Sequence, residues 1–178
     1  MADYWSPTVI RQPIPIGDMT KLERLLLGLV FEAEPAGDES VYFHARLGPS
    51  DLIGLAIADL RTALAASADI ASTAATVIAG QLAKAKADET EIEIDLGETS
   101  WAFFLQDIVA RSPTLHYVTV ITSFTCSKMR PDGFGGAATL ITADEIKGKS
   151  TEDILADFLD EAGIEPTPSA NGKQAEGE

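Results

Sequence analysis

Apolar residues recur along this chain in two periods, and each period predicts one kind of element. In residues 91–96, acidic and aliphatic side chains alternate strictly, which is typical of a strand with one buried face. In residues 22–29, leucines recur every three or four positions, as they do on the buried face of a helix. We expect Asp18 or Thr20 to cap this helix, and Thr20 and Glu23 have the spacing of a capping box.

Helical periodicity continues in the middle of the chain. Ser50 is a favourable N-cap, and an apolar stripe that includes Leu52 and Ile53 predicts a helix over residues 50–67. A second helix is expected over residues 69–87, whose many alanines would allow it to pack closely against its neighbours.

Two more helices are expected in the second half. One begins at Thr99 or Ser100 and ends before Pro113, because proline does not continue a helix. The last begins at Ser150, with Asp153 in the capping-box position, and ends at Gly163. Four apolar residues of this last helix are expected to face the core: Ile154, Leu155, Phe158 and Leu159.

Segments rich in β-branched and aromatic residues predict two β-hairpins. Residues 30–34 and 41–47 flank a turn-rich segment and are expected to form the first hairpin. The alternative is that the first helix continues through Glu32. Residues 115–124 and 137–142 form the second pair. Their connection contains Pro131-Asp132-Gly133, in which proline fixes the first turn position and glycine accepts a positive φ.

This order of elements predicts an α+β fold, with a mainly antiparallel sheet of about four to five strands and helices packed on it. The length of 178 residues fits one domain. We expect residues 1–18, which are rich in proline, to form an extended N-terminal arm. Residues 19–163 then form the single domain, and residues 164–178 form a disordered acidic tail.

The chain is strongly acidic, with 28 Asp and Glu against 13 Lys and Arg and a net charge of -15. Such a charge repels phosphate backbones at long range, so direct nucleic-acid binding is not expected, whereas basic proteins are attracted. Solubility alone is the simpler explanation of the charge. A more specific alternative is a DNA mimic, which inhibits a DNA-binding protein by presenting carboxylates in place of phosphates.

A single cysteine, Cys126, cannot form an intramolecular disulfide, so a reducing cytoplasm is the expected compartment. The first 18 residues lack the basic start and unbroken apolar stretch of a secretory signal. Residues 56–87 come closest to a membrane span, but charged side chains interrupt them. We therefore expect no membrane association.

The loop over residues 125–136 holds the most unusual chemistry, because Cys126 lies close in sequence to Lys128 and Arg130. The loop lacks the Lys-Ser/Thr pair and the following helix of a phosphate-binding P-loop. A cysteine phosphatase needs arginine six positions after the cysteine, where this chain has Asp132. Cys126 is then either a nucleophile activated by nearby charge or a small buried thiol. The predicted binding residues are Lys128, Arg130, Asp132, Gly133 and Phe134.

Two acidic clusters accompany this loop, one on the strand at residues 91–96 and one on the last helix. Carboxylates two residues apart on a strand lie about 6–7 Å apart on one side. They form a solvated face, a charged edge that prevents strand addition, or an acid–base pair. Together the two clusters would attract a basic protein. The predicted acidic surface consists of Glu91, Glu93, Asp95, Asp153, Asp157 and Asp160.

The two histidines, His44 and His116, stand without cysteine or carboxylate at ligand spacing. No complete cofactor motif is present in the sequence. We therefore propose no metal and no cofactor from the sequence.

The run HYVTVITSFTCSKMRPDGFGGAATLITAD, followed by an amphipathic helix, resembles uncharacterised small bacterial proteins encoded among plasmid and mobile-element accessory genes. The resemblance covers about residues 115–158. It implies a bacterial cytoplasmic setting, and no catalytic residue comes with it.

Three hypotheses about function follow. The first is a non-enzymatic accessory protein that presents the loop and the acidic clusters to a basic protein partner. The second is a small enzyme or anion-binding domain that uses Cys126, Lys128 and Arg130, since two cations on one loop can hold an anion. The third is the DNA mimic. The first is preferred because no catalytic motif is complete.

Overall fold

The structure is a computed structural model that describes residues 2–97, 100–128, 130 and 133–165. Its helices are α1 (Lys21–Val30), α2 (Ile57–Ala65), α3 (Thr73–Lys84), α4 (Trp101–Arg111) and α5 (Thr151–Glu161). Its strands are β1 (Tyr4–Trp5), β2 (Thr8–Ile10), β3 (Ile14–Pro15), β4 (Glu32–Pro35), β5 (Ser40–Ala45), β6 (Leu52–Ala56), β7 (Glu91–Asp95), β8 (Val118–Cys126), β9 (Gly135–Ile141) and β10 (Ile146–Ser150).

The fold is α+β and its sheets are antiparallel, as the sequence predicts. The main sheet has eight strands in the order β10-β9-β8-β2-β5-β3, with β1 beside β8 and β4 beside β5. The expectation of four to five strands was therefore too low. The extra strands are β10 and the three short strands of the N-terminal segment, whose prolines limit each of them to two or three residues.

Both predicted hairpins are present. β4 pairs with β5, and Glu32 lies opposite His44, so the alternative of a first helix running through Glu32 was wrong. β8 pairs with β9 from Val118 opposite Ile141 to Phe124 opposite Gly135. Several expectations lie outside the described residues: the turn at Pro131 and Asp132, the N-cap at Thr99, and the tail beyond residue 165.

The predicted helix over residues 50–67 is divided into a strand and a helix. β6 pairs with β7 to form a separate two-stranded sheet, and α2 begins only at Ile57. The apolar spacing of this segment fits either element, and pairing with the acidic strand β7 decides in favour of a strand. The next helix also starts later than expected, because Ser72 and not Asp69 caps α3.

The helix caps follow the sequence closely. The Thr20 hydroxyl accepts a hydrogen bond from Glu23 N at 3.1 Å, and Thr20 N donates to Glu23 Oε2 at 2.8 Å. Ser150 and Asp153 form the second predicted capping box, at the start of α5. Ser100 caps α4 by accepting from Ala102 N at 3.2 Å.

The core lies between one face of the main sheet and helices α1 to α4. From the sheet, Ile10, Phe43 and Val118 are fully buried. From α4, Phe104 and Leu105 are fully buried, as the apolar stripe of that helix predicts. None of the helices within the described residues has the length and apolar character that crossing a bilayer requires.

Helix α5 does not join this core. None of its residues, all of which are described, is buried, although its apolar stripe was expected to face inward. The helix packs beside β9 and β10, at the edge of the main sheet. The inner face of the sheet is already occupied by other helices, so the stripe of α5 is left exposed to solvent.

Candidate functional site

The thiol of Cys126 is buried beneath the loop that follows it. Cys126 ends β8 opposite Tyr4 and is 6% exposed. Gly133 lies directly against it: a Cβ at Gly133 would come within 2.5 Å of the Cys126 Cβ and 3.3 Å of its sulfur. This packing is that of a small buried thiol rather than a nucleophile open to a substrate.

Hydrogen bonds tie the described part of this loop to the N-terminal strand. Arg130 Nη1 donates to the Tyr4 hydroxyl at 3.2 Å. Ser127 N donates to the carbonyl of Asp3 at 2.9 Å, and Asp3 N donates back to Ser127 Oγ at 2.9 Å. The Arg130 side chain is thus directed toward Tyr4. Asp132, a predicted binding residue, lies outside the described residues.

Glycines bring α5 close to the sheet at the far side of the loop. Gly136 N donates to the Thr151 hydroxyl at 3.2 Å. A Cβ at Gly135 would lie 2.7 Å from the same hydroxyl and 3.5 Å from the ring of Phe124. Phe124 and the first residue of α5 therefore flank Gly135, and this close approach requires a residue without a side chain.

The exposed apolar stripe of α5 begins at this point. Residues three, four and seven positions after Thr151 lie on the same helix face as Thr151. These residues are Ile154, Leu155 and Phe158, which are 39%, 52% and 58% exposed. The ring of Phe124, which flanks Gly135, is 41% exposed.

Three carboxylates lie on the side of α5 opposite the stripe. The Asp153 carboxylate accepts hydrogen bonds from Ser150, chiefly from its backbone N–H at 2.7 Å, and these bonds hold the pKa of Asp153 below its usual value. Asp157 forms an ion pair with Lys149, and this hydrogen bond raises the pKa of Lys149. Asp160 is exposed and lies further along the helix. With 3.6 residues per turn, all three predicted acidic residues of α5 share the helix face opposite the apolar stripe.

The second acidic cluster lies on a different sheet. Glu91, Glu93 and Asp95 are exposed on β7, which pairs with β6. Asp95 accepts a hydrogen bond from Gly97 N at 2.7 Å. That the two acidic clusters together attract a basic protein stays a prediction.

The histidines lie apart from these features. His44 Nε2 is 3.2 Å from Glu34 Oε1, and His44 Nδ1 is 4.0 Å from Glu32 Oε1. His116 is exposed at the start of the segment that leads to β8. Within the described ranges, no three metal-binding side chains come together.

Sequence reasoning missed a buried ion pair between α1 and α4. Glu23, which the sequence identified as a capping residue, is fully buried and also pairs with Arg111. Arg111 additionally donates to the carbonyl of Asp18 at 3.2 Å. No local pattern signals this contact, because the two partners are 88 residues apart.

No protein-family model matches the chain, and no match was found among curated proteins or among solved structures. The resemblance to accessory proteins of bacterial mobile elements therefore stays a prediction.

Proposed function

We propose that this protein is a non-enzymatic binding protein that holds a basic, amphipathic segment of a partner protein on α5. The observation that carries the proposal is an amphipathic helix without a buried residue, whose stripe of Ile154, Leu155 and Phe158 faces solvent. Surface helices normally bury such a stripe in the core of their own domain. Exposed apolar patches rimmed by polar residues commonly mark interaction sites.

The apolar stripe supplies the affinity in this proposal. Full burial of a Leu, Ile or Phe side chain stabilises by about 1.5–3 kcal/mol. The three side chains are roughly half exposed, so a partner that covers them gains several kcal/mol before the cost of association is subtracted. An amphipathic helix laid in a hydrophobic groove is a common way to realise such a gain.

The carboxylates favour a partner segment with positive charge. Asp153, Asp157 and Asp160 lie on the side of α5 opposite the stripe, and the chain as a whole carries a net charge of -15. Rim charges chiefly speed association and exclude partners of like charge. The preferred partner is therefore a segment with apolar residues on one side and Lys or Arg on the other.

The other two hypotheses receive less support. Burial of Cys126 beneath Gly133 argues against a thiol nucleophile, although anion binding by Lys128 and Arg130 stays a prediction. A DNA mimic needs carboxylates spaced like phosphates on one continuous surface, and that hypothesis also stays a prediction.

A cationic amphipathic peptide of Leu and Lys tests the proposal, with an anionic peptide of Leu and Glu as its counterpart. We expect fluorescence anisotropy to show binding of the cationic peptide only, weaker at high salt because ion pairing is screened. Phe158→Ser should weaken binding about tenfold, equivalent to about 1.4 kcal/mol. Asp160→Asn should lower both the affinity and its salt dependence.

The matched control is Ile70→Ser, because Ile70 is similarly exposed but lies between α2 and α3. This variant should bind the peptide as the wild type does. Equal affinity of the Phe158 and Ile70 variants, or equal binding of both peptides, would exclude α5 as the site.

A further inference from the structure

The outer face of the main sheet, which we define as the face opposite helices α1 to α4, is open to solvent. Side chains alternate between the two faces of a strand. Val118 and Val120 of β8 are buried toward the helices, whereas Ile121 is exposed on the outer face. Leu140 of β9 and Val9 of β2 are exposed there as well.

Six residues of the outer face form one row across the sheet, because each lies directly opposite the next in the strand register. In order they are Glu32, His44, Val9, Ile121, Ala138 and Lys149. A second row lies beside the first. It starts with Glu34 opposite Tyr42 and ends with Leu140 opposite Lys147.

Charge is distributed unevenly along these rows. Both rows begin in a glutamate on β4, Glu32 or Glu34, and both end in a lysine on β10, Lys147 or Lys149. Their four terminal charges cancel, although the chain as a whole carries -15. Two copies of an acidic protein repel each other least where the local charge is balanced.

We propose that the outer face pairs with the same face of a second copy, around a two-fold axis parallel to the strands. Such an axis reverses the order of the strands, so each glutamate edge meets a lysine edge. Glu32 then lies over Lys149 of the second copy, and Glu34 over Lys147 of the second copy. A two-fold axis across the strands would instead place glutamates over glutamates.

The midpoint of the first row is apolar in this arrangement, whereas the second row has the exposed Arg11 beside Thr119 at its midpoint. The midpoint of the first row lies between Val9 and Ile121, so Val9 packs over Ile121 of the second copy. Six strands span about 24 Å between the two edges, and aligned sheets pack about 10 Å apart. An interface of this kind is isologous, since the same surface is used on both subunits.

The edge charges fix orientation, while the apolar midpoint of the first row supplies affinity. Each edge residue already has a partner within its own chain: Lys147 pairs with Glu145, and Glu34 with His44. Pairing across the interface would extend these contacts into networks. This proposal rests on the register and exposure of the outer face, and not on the proposed function.

The first test is the mass of the protein in solution, measured by sedimentation velocity over a range of concentrations. We expect a dimer for the wild type. Ile121→Lys should weaken self-association at least tenfold while circular dichroism stays unchanged. Leu47→Lys is the control, because Leu47 is 69% exposed and lies in the turn after β5, and this variant should remain dimeric. A monomeric wild type, or a dimeric Ile121 variant, would overturn the proposal.

The second test exchanges charges between the two edges. Glu34→Lys and Lys147→Glu should each weaken the homodimer, because like charges then face each other. An equimolar mixture of the two variants should restore a dimer. In the mixed dimer the introduced lysine meets the introduced glutamate, and the unchanged Lys147 of one copy meets the unchanged Glu34 of the other. The exchange Glu89→Lys and Lys86→Glu, at an exposed pair away from this face, is the control. A mixture that stays monomeric would refute the predicted orientation.

Discussion

Replacement of Arg111 by methionine should destabilise the protein strongly, because it leaves a buried carboxylate without its cation. Glu23 is fully buried, and its Oε2 accepts a hydrogen bond from Arg111 Nη2. Glu23 Oε1 and Arg111 Nε are buried without hydrogen-bond partners among the described residues. Methionine preserves much of the apolar stem of arginine, so the variant isolates the charge.

The expected cost follows from the geometry of the pair. Removing one partner of a buried ion pair costs about 3–5 kcal/mol. Glu23 keeps its 2.8 Å hydrogen bond from Thr20 N, and the Arg111 side chain is 24% exposed. Both facts favour the lower end, about 3 kcal/mol. For a chain of this size, that corresponds to a fall in Tm of about 6–12 °C.

Urea unfolding of four proteins measures the effect: the wild type, Arg111→Met, Glu23→Gln and the double variant. The losses in unfolding free energy of the two single variants should add up to more than the loss of the double variant, by about 1 kcal/mol or more. Arg24→Met, at an exposed position on the same α1, should stay within about 0.5 kcal/mol of the wild type. A loss below about 1 kcal/mol for Arg111→Met, or strict additivity, would refute the reasoning.

Three further outcomes are expected. Hydrogen bonds from Ser150 lower the pKa of Asp153, so ionised Asp153 stabilises α5 fully above its unfolded pKa, about 3.9. This contribution is lost as pH falls through the lower pKa of the folded state. The NMR shifts of α5 amides should therefore change below about pH 4, and Asp153→Asn should remove this pH dependence. Gly133→Ala should expose Cys126, so alkylation by iodoacetamide should be faster than in the wild type, and equal rates would contradict the packing. The Asp107 carboxylate accepts a hydrogen bond from the first backbone N–H of α3 at 2.5 Å. Asp107→Ala should therefore lower the free energy of unfolding, measured in urea, by about 0.5–2 kcal/mol. An unchanged free energy of unfolding would show that this contact is unimportant.

The elements that the sequence predicts best are those set by neighbouring residues. The capping boxes at Thr20 and Ser150 depend on side chains three positions apart, and both are present. The strand β7 follows from strict alternation, which only a half-buried strand satisfies over five residues. Local chemistry alone decides these features.

Features that depend on distant partners were missed. β2 is three residues long, too short to show a period, and it pairs with β8 more than 100 residues away. The segment over residues 52–56 fits a helix or a strand until its partner β7 is known. In both cases the deciding interaction is a hydrogen-bond ladder between segments far apart in sequence.

The exposure of the α5 stripe also depends on distant packing partners, which the local sequence does not show. Periodicity identifies the apolar stripe of α5 correctly, but it does not show whether the core has room for it. Helices α1 and α4 pack on the main sheet, α2 and α3 pack beside them, and α5 follows β10 at the sheet edge. The prediction that Ile154, Leu155 and Phe158 face inward failed because other helices already cover the inner face.

The two proposed surfaces, α5 and the outer face, would reinforce each other through charge. Asp157 of α5 pairs with Lys149, the last residue of the first outer-face row. In the proposed dimer, Glu32 of the second copy lies over that lysine, which adds a carboxylate beside each α5. The dimer would also carry two α5 stripes on one assembly. A partner with two basic segments would then bind more tightly than one with a single segment, because its second contact forms at a high effective concentration.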